Sequence, residues 1–246
     1  MALNNIETID IFGIRVAKLN YEKFLDIIKE SIFKNQKLTI GYANADTLNI
    51  IYNSENLKAI FNSFDLIHPD GIGVYWASKF LYGKDGLETR ITGSDFYHFL
   101  IEECVKNNWR VFFFGHRYKI LNKINKLHPA LNITGIQEGY QYLSSNVVKY
   151  INDSDSDIII VGLSSPIQEK WIIENKQNLN FKIILLVGEG IRVFAGKKIR
   201  GPVLFRKIGL EWLVRYISNP VANFRKYIVG VPLFIIRVLK EKLKPY

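Results

Sequence analysis

The sequence has almost none of the residues from which disulfide frameworks and thiolate metal clusters are built. Its 246 residues include one cysteine, Cys104, and four histidines. A single cysteine excludes an internal disulfide and a cluster of cysteine ligands, and it favours a reducing, cytoplasmic location. The histidines lack the spacing of metal ligands. We therefore expect no bound metal ion and no cofactor.

Long apolar runs are also absent. The longest near the C-terminal end, Tyr227–Ile236, is well short of the roughly 18 to 20 residues that span a bilayer. It contains Gly230 and Pro232, and basic residues flank it on both sides. This pattern predicts a segment that lies on a membrane surface, with a core helix carrying a solvated basic rim as the alternative. The first residues carry acids and no long apolar run, so we expect no signal peptide.

Positive charge is concentrated at one end of the chain. The formal net charge is +10. Residues 192–246 contain 13 Lys and Arg against two acids, whereas the rest of the chain is nearly neutral. Such a segment usually meets an anionic partner: lipid headgroups, a phosphorylated substrate or nucleic acid. We therefore divide the chain into a core (residues 1–199) and a basic, amphipathic C-terminal segment (residues 200–246).

Short β-branched and aromatic runs alternate with amphipathic stretches along the core. The former predict strands at Leu38–Ala43, Arg110–Gly115, Asn132–Ile136, Asp157–Gly162 and Lys182–Gly188. The latter predict helices over Leu48–Phe64, Tyr118–Leu127, Ser144–Asn152 and Pro166–Asn178, the last capped by Ser165. This alternation of predicted strands and helices indicates an α/β fold with a Rossmann-like, doubly wound and mostly parallel sheet. Ligands bind such sheets beyond the carboxyl ends of the strands.

The C-terminal segment has its own helical pattern. Apolar residues at helical spacing predict a helix over Leu204–Ser218, which Pro220 should end. A second helix is expected over Phe224–Val229, and Pro232 is expected to interrupt the stretch that follows.

The sequence contains near-matches to common nucleotide-binding motifs, but none has the spacing that the motif requires. Gly71–Gly73 and Gly188–Gly190 each give G-x-G without a third glycine. The stretch from Gly190 to Lys197 resembles a P-loop, but it has five intervening residues, and Lys198 stands where Ser or Thr is needed. No G-x-S-x-G elbow is present. The sequence therefore disfavours simple NTPase, hydrolase and metalloenzyme functions.

The most unusual local sequence is His68–Gly73 (HPDGIG), which follows a strand-like stretch at Phe64–Ile67 and precedes a helical one. Asp70 stands beside two glycines, so a ligand can approach its carboxylate closely. A helix N-terminus favours the ionised carboxylate, which could act as general base toward a hydroxyl. The alternative is that Asp70 simply caps the helix.

Six segments, taken together, resemble the WecG/TagA/CpsF glycosyltransferase family. They follow one another in the expected order over nearly the whole chain, and six in order are specific. The segments are Tyr42–Asp46 (YANAD), His68–Lys79 (HPDGIGVYWASK), Arg90–Asp95 (RITGSD), Gly162–Trp171 (GLSSPIQEKW), Ala195–Pro202 (AGKKIRGP) and Gly209–Arg215 (GLEWLVR).

This resemblance implies an inverting transferase of cell-surface polysaccharide or teichoic acid synthesis. It implies a UDP-sugar donor, typically of N-acetylmannosamine type, and N-acetylglucosamine on a polyprenyl diphosphate as acceptor. The C-terminal segment would dock on the inner face of the cell membrane and complete the active site. The expected partners are thus donor, acceptor and membrane surface, with no nucleic acid, and a homo-oligomer remains open.

The expected site combines the resemblance with the chemistry of inversion, which needs a base and stabilisation of the leaving diphosphate. Asp70 is the expected base and Arg90 the second catalytic residue. For Arg215 and Arg225 of the C-terminal segment, contact with lipid headgroups is the alternative role. The expected substrate-binding residues are Asn44, Tyr42, Gly71, Gly73, Gln168, Glu169, Arg215 and Arg225.

The chain departs from the family pattern near the expected donor pocket. Tyr42 stands where Thr is common, and Ile191–Arg192 stands where Phe-Asp is frequent. Glu138–Gln141 replaces a common His-Gly-Tyr-Phe. These differences leave the donor sugar open. Two other functions compete: a nicotinamide enzyme, which the missing third glycine opposes, and a non-enzymatic membrane- or nucleic-acid-binding protein using the basic segment.

Overall fold

The computed structural model describes residues 6–198, 201–202, 205 and 209–244. Its centre is a six-stranded sheet in the order β4-β3-β8-β7-β5-β6, in which every neighbouring pair is parallel. A separate antiparallel hairpin joins β1 and β2. The strands are β1 (Thr8–Ile11), β2 (Ile14–Ala17), β3 (Leu38–Ala43), β4 (Leu66–Pro69), β5 (Val111–Gly115), β6 (Ile133–Gln137), β7 (Ile158–Gly162) and β8 (Ile183–Leu186).

The five strands predicted from apolar runs are all present, with small shifts at their ends. β3 has the predicted bounds, and β3, β5, β7 and β8 are buried along their whole length, as expected for parallel strands covered on both faces. The prediction of a Rossmann-like, mostly parallel sheet is confirmed. The β1–β2 hairpin was not predicted.

Helices cover the sheet on both faces. The core helices are α1 (Tyr21–Phe33), α2 (Ala45–Ile51), α3 (Glu55–Asn62), α4 (Ile72–Tyr82), α5 (Gly93–Lys106), α6 (Tyr118–Leu127), α7 (Ser144–Asp153), α8 (Ile167–Asn175) and α9 (Ile191–Phe194). Short 3-10 turns lie at Gly83–Asp85, Lys176–Asn178 and Gly188–Gly190.

Two helix predictions in the core were wrong in detail. The predicted helix over Leu48–Phe64 is two helices, α2 and α3, because Ser54 caps α3 by accepting a hydrogen bond from the Leu57 N–H. Such a short polar side chain satisfies a new helix start better than a helix interior. Ser165 does not cap α8, which begins after Pro166 without a side-chain cap.

The described part of the C-terminal segment is almost wholly helical. It contains α10 (Glu211–Ser218), α11 (Pro220–Phe224), a π-helical turn (Arg225–Val229) and α12 (Gly230–Lys242). The break at Pro220 is confirmed, and Asn219 caps α11 by accepting from the Ala222 N–H. The predicted domain boundary at residues 199–200 and the predicted helix start at Leu204 lie outside the described residues.

The predicted interruption at Pro232 was wrong. Pro232 is the third residue of α12, and the helical backbone is continuous on both sides of it, from Pro220 to Lys242. The π-helical turn before it shifts the hydrogen-bond register, since the Gly230 N–H bonds to the Arg225 carbonyl five residues back. In the part of the chain that the structure describes, no helix combines the length and the apolarity needed to cross a bilayer.

The C-terminal helix packs into the core. Phe234 and Val238 of α12 are buried in the same hydrophobic cluster as Phe12, Val74 and Ala77. The Phe234 ring meets the Phe12 ring edge-on at 5.7 Å between centroids. One side of α12 therefore packs as a core helix, whereas Ile236 on its other side and Leu243 directly after it are exposed. The core-helix alternative therefore holds for one face of α12, and contact of the other face with a membrane stays a prediction.

Candidate active site

A cleft of about 1100 Å³ lies where β3, β4 and β8 end, and the C-terminal segment forms its far wall. This is the edge at which a doubly wound sheet is expected to bind ligands. The cleft brings together most of the site residues expected from the sequence. Those that line it are Tyr42, Asn44, Asp70, Gly71, Gly73, Arg90 and Arg215.

Asp70 is held by donors from two other elements. Its Oδ1 accepts a hydrogen bond from the Gly93 N–H at 2.8 Å, and its Oδ2 accepts from Asn44 Nδ2 at 3.4 Å. Its own N–H donates to the Ala43 carbonyl at 2.8 Å. Helix α4 has no side-chain cap and begins after Gly71, so Asp70 does not cap it. The carboxylate instead lies at the N-terminus of α5, whose dipole favours negative charge.

Asp70 is ionised at neutral pH. Burial by itself raises the pKa of this carboxyl, but the Lys198 ammonium, the Gly93 N–H and the Asn44 amide together lower it below its ordinary 3.8. A carboxylate of this kind can accept a proton from a hydroxyl that is brought against it.

Gly71 leaves open space beside Asp70. Its backbone has φ +92° and ψ 175°, a conformation that is essentially restricted to glycine. Its N–H donates to the Ile91 carbonyl at 2.8 Å, and a Cβ added here would meet no atom within 4 Å. A ligand can therefore approach the carboxylate from this side, as the two glycines of the motif predict.

Asn44 links β3 to the base. Its Oδ1 accepts from the N–H groups of Asp46 and Thr47, both at 3.0 Å, and so caps α2. The same bonds orient the amide so that Nδ2 donates toward Asp70. Asn44 thus holds Asp70 in place, and a substrate contact for it stays a prediction.

Gln168 and Glu169 lie beneath the cleft and do not line it. Both are fully buried on α8. Gln168 Oε1 accepts from the Gly188 N–H at 3.1 Å, and Gln168 Nε2 donates to Glu169 Oε1 at 2.9 Å. Burial raises the pKa of Glu169. The pair supports the Gly188–Gly190 turn of the cleft wall. Substrate binding by either residue stays a prediction.

Tyr42 closes the floor of the cleft. It is buried at the end of β3, and a side chain on Gly188 would collide with its hydroxyl. Burial, with the negative charge of Glu169 as a second cause, raises the pKa of Tyr42 well above its ordinary value, so it remains a neutral phenol. The aromatic side chain noted in the sequence at this position therefore lines the cleft as a buried, uncharged group.

Cationic side chains gather in the same cleft as Asp70. Lys198, Arg215 and Lys226 all line the cleft with Arg90. Arg215 donates to Glu211 Oε1 at 2.6 Å, and Lys226 pairs with Asp46 at 2.9 Å. Arg225, which the sequence had suggested, is exposed and does not line the cleft. Such a group of cations suits a diphosphate.

Lys198 is a cleft residue that was not among the predicted site residues, although it stands in the segment Ala195–Pro202. Burial, together with repulsion from Arg215, lowers the pKa of this amine from 10.5 to about 8. The signal that could have identified it is the pair Lys197–Lys198 after Gly196, in a segment that already resembled the family. No group of three or more His, Cys, Asp or Glu side chains suited to a metal ion occurs among the described residues.

Comparison with known proteins decides the family. The model of the glycosyl transferase WecG/TagA/CpsF family matches residues 9–246. The chain belongs to the WecG/TagA/CpsF glycosyltransferase family. The resemblance seen in the sequence is thereby confirmed, and the protein is an enzyme that transfers a sugar. Because the match includes the C-terminal segment, neither the nicotinamide nor the nucleic-acid-binding function is favoured.

Three relatives of this chain carry the name N-acetylglucosaminyldiphosphoundecaprenol N-acetyl-beta-D-mannosaminyltransferase. The protein from Bacillus spizizenii strain W23 is 32% identical over 189 residues, covering 75% of this chain and 72% of the relative. The protein from Staphylococcus aureus strain MRSA252 is 30% identical, covering 98% and 96%. The protein from Bacillus subtilis strain 168 is 28% identical, covering 96% and 93%.

Proposed function

We propose that this enzyme transfers an N-acetylmannosamine-type sugar from a UDP-sugar to N-acetylglucosamine on a polyprenyl diphosphate. The observation that carries this proposal is the cleft itself, in which an ionised, oriented Asp70 lies together with a group of cations. The names of the relatives support the choice of sugar and acceptor. The product would enter cell-surface polysaccharide or teichoic acid synthesis.

Asp70 is the general base of the proposed reaction. Its carboxylate takes the proton of the acceptor hydroxyl while that oxygen attacks the anomeric carbon of the donor. The bond from the anomeric carbon to the diphosphate oxygen breaks, and UDP leaves with the electron pair. Attack opposite the leaving group inverts the anomeric configuration. The proton on Asp70 then returns to solvent as the product departs.

The cations of the cleft stabilise the charge that develops on the leaving diphosphate. Arg90 comes from the core, Lys198 from the segment after α9, and Arg215 and Lys226 from the C-terminal segment. Fixed positive groups placed where charge develops lower the barrier more than groups that must first move. This arrangement explains why the C-terminal segment belongs to the active site in the proposed mechanism.

The C-terminal segment also docks the enzyme on the inner face of the membrane in this proposal. Val221, Phe224, Ile228 and Val229 are exposed, and Arg225 is exposed beside them. Apolar side chains interleaved with cations are typical of surfaces that lie on anionic lipid headgroups. Peripheral binding would place the cleft where a lipid-linked acceptor arrives.

A transfer assay tests the proposed function. Purified enzyme is incubated with a panel of UDP-sugars and a lipid-linked N-acetylglucosamine acceptor, and UDP release is measured. We expect release that requires the acceptor and is fastest with a UDP-N-acetylmannosamine-type donor. No release with any donor, from folded enzyme with acceptor present, would contradict the proposed reaction. Release with a different sugar would correct the donor and leave the reaction class in place.

Asn49 fastens α12 to the core, and its loss should open the cleft. Asn49 Nδ2 donates to the Gly230 carbonyl at 2.7 Å, and its carbonyl and Oδ1 accept from Arg237 Nη1 at 2.7 and 2.9 Å. Because Asn49→Ala removes the two side-chain bonds, we expect α12 docking to weaken by about 1–3 kcal/mol. Amide hydrogen exchange of residues 230–242 measures this loss, and the KM for the donor should rise with it.

Asn152→Ala is the matched control for the loss at Asn49. Asn152 also makes two backbone hydrogen bonds, from Nδ2 to the Asn178 carbonyl at 2.9 Å and from the Asn180 N–H at 2.7 Å. We expect faster exchange only around residues 176–180 and an unchanged KM. Equal exchange of residues 230–242 in Asn49→Ala and wild type would show that Asn49 does not hold the helix.

A further inference from the structure

The cleft has an apolar half that the proposed chemistry does not use. Trp76 and Phe80 of α4 line one wall and are 62% and 49% exposed. Ile235 and Leu239 of α12 line the other and are 52% and 47% exposed. Each pair is spaced one helical turn apart, so the two walls present parallel apolar ridges. Four large apolar side chains left open in one groove mark a binding surface.

The two walls of this groove are fixed relative to one another. Lys242 Nζ donates to the Leu81 carbonyl at the end of α4 at 2.7 Å. At the other end, a Cβ on Gly73 would stand 3.7 Å from a ring carbon of Phe234, so α4 and α12 approach closely beside Asp70. The groove is therefore preformed, which lowers the entropic cost of binding a chain in it.

The groove continues directly into the charged half of the cleft. Asp70, Lys198 and Lys226 line the same cavity as Trp76 and Leu239. Of the two proposed substrates, the lipid-linked acceptor is the one that carries a long apolar tail beside its anionic diphosphate. We propose that the α4–α12 groove binds the first isoprene units of a polyprenyl diphosphate acceptor. This inference rests on the proposed function and adds to it a binding site for the lipid tail.

The position of the four side chains favours a bound chain over a bilayer surface. They face the inside of the cleft, whereas Ile236 of α12 and Leu243, directly after that helix, are exposed and do not line it. A bilayer would cover the outer side chains and leave the groove empty. An isoprenoid chain that leaves the diphosphate and enters the groove covers the inner four.

Binding of soluble diphosphates tests the groove without any membrane. The probes are farnesyl diphosphate and isopentenyl diphosphate, which share a head and differ in tail length, and Kd is measured by calorimetry. We expect wild type to prefer the farnesyl compound by at least about tenfold, since its tail covers apolar surface in the groove. The double variant Trp76→Ser with Phe80→Ser should lose most of that preference.

The control is the double variant Ile236→Ser with Leu243→Ser, which removes two exposed apolar side chains, one on α12 and one directly after it, that do not line the groove. It should keep the wild-type preference for the farnesyl tail. The inference is overturned if wild type shows no preference, if the Trp76 and Phe80 variant keeps it, or if the control loses it equally.

Kinetics separate this inference from the proposed function. With acceptors that differ only in tail, the Trp76 and Phe80 variant should raise KM for the long isoprenoid acceptor about tenfold. Its KM for a short-alkyl acceptor and its kcat should stay near wild type. If wild type transfers sugar but the variant changes KM by the same factor for both acceptors, the groove inference is contradicted and the proposed reaction is not. If no acceptor supports transfer while the tail preference persists, the proposed reaction fails and the groove stands.

Discussion

Replacing Asp70 with Asn should lower kcat by about 10²–10⁴ while the protein stays folded. The amide can still accept the Gly93 N–H bond that Oδ1 now accepts at 2.8 Å, so the local backbone keeps its support. It cannot take the proton of an acceptor hydroxyl. Steady-state UDP release with saturating donor and acceptor measures the loss, and near-wild-type unfolding by heat or denaturant shows that the fold is intact.

Asp157→Asn is the matched control for the loss at Asp70. Asp157 is also a carboxylate whose pKa is lowered, since hydrogen bonds from Arg110 and Lys182 outweigh the opposing effect of burial. It precedes β7 and so lies at the amino edge of the sheet, away from the cleft. We expect this variant to unfold more readily at neutral pH and to keep wild-type kcat per folded molecule. If Asp70→Asn retained kcat within a factor of ten, another group would be the base.

The sheet could be predicted from the sequence because each central strand carries its own signal. Runs such as Asp157–Gly162 are apolar throughout, and β7 is buried on both faces. The β1–β2 hairpin has only four residues per strand and no such run, and its alternation of buried and exposed residues is a weaker signal over so short a length. Similarly, the apolar spacing over Leu48–Phe64 does not show that a second helix starts after Ser54. Only the structure shows it, through the hydrogen bond that the Ser54 side chain accepts from the Leu57 N–H.

The chemistry of the site was predictable where it depends on a local motif. Asp70 and Gly71 stand together in the sequence, and the strand end that presents them follows from the pattern. Lys226 and Asn49 could not be predicted, because the fold of the C-terminal segment brings them to the cleft. Residue type alone also could not show that Gln168 is fully buried and hydrogen-bonded within the protein.

A second large effect is expected at Lys198, through pH. The ammonium form can hold a leaving diphosphate, and burial lowers its pKa to about 8 in the free enzyme. As pH rises through that value the amine loses its charge, so kcat/KM for the donor should fall above about pH 8. Because Asp70 has a pKa below its ordinary 3.8, it stays ionised and should give no acidic limb between about pH 5 and 7. A bound diphosphate favours the ammonium, so the limb in kcat should lie at higher pH than the limb in kcat/KM.

Two substitutions distinguish this role from general alkaline inactivation. Lys198→Met should lower kcat/KM by about 10²–10³ at pH 7, the loss typical of one fixed group that stabilises developing charge, and should remove the limb. Lys198→Arg remains charged throughout, so it should retain more activity than Lys198→Met and also lack the limb. If the limb near pH 8 persisted in both variants, a different group would titrate there. The diphosphate would then be held by Arg90, Arg215 and Lys226, which line the same cleft.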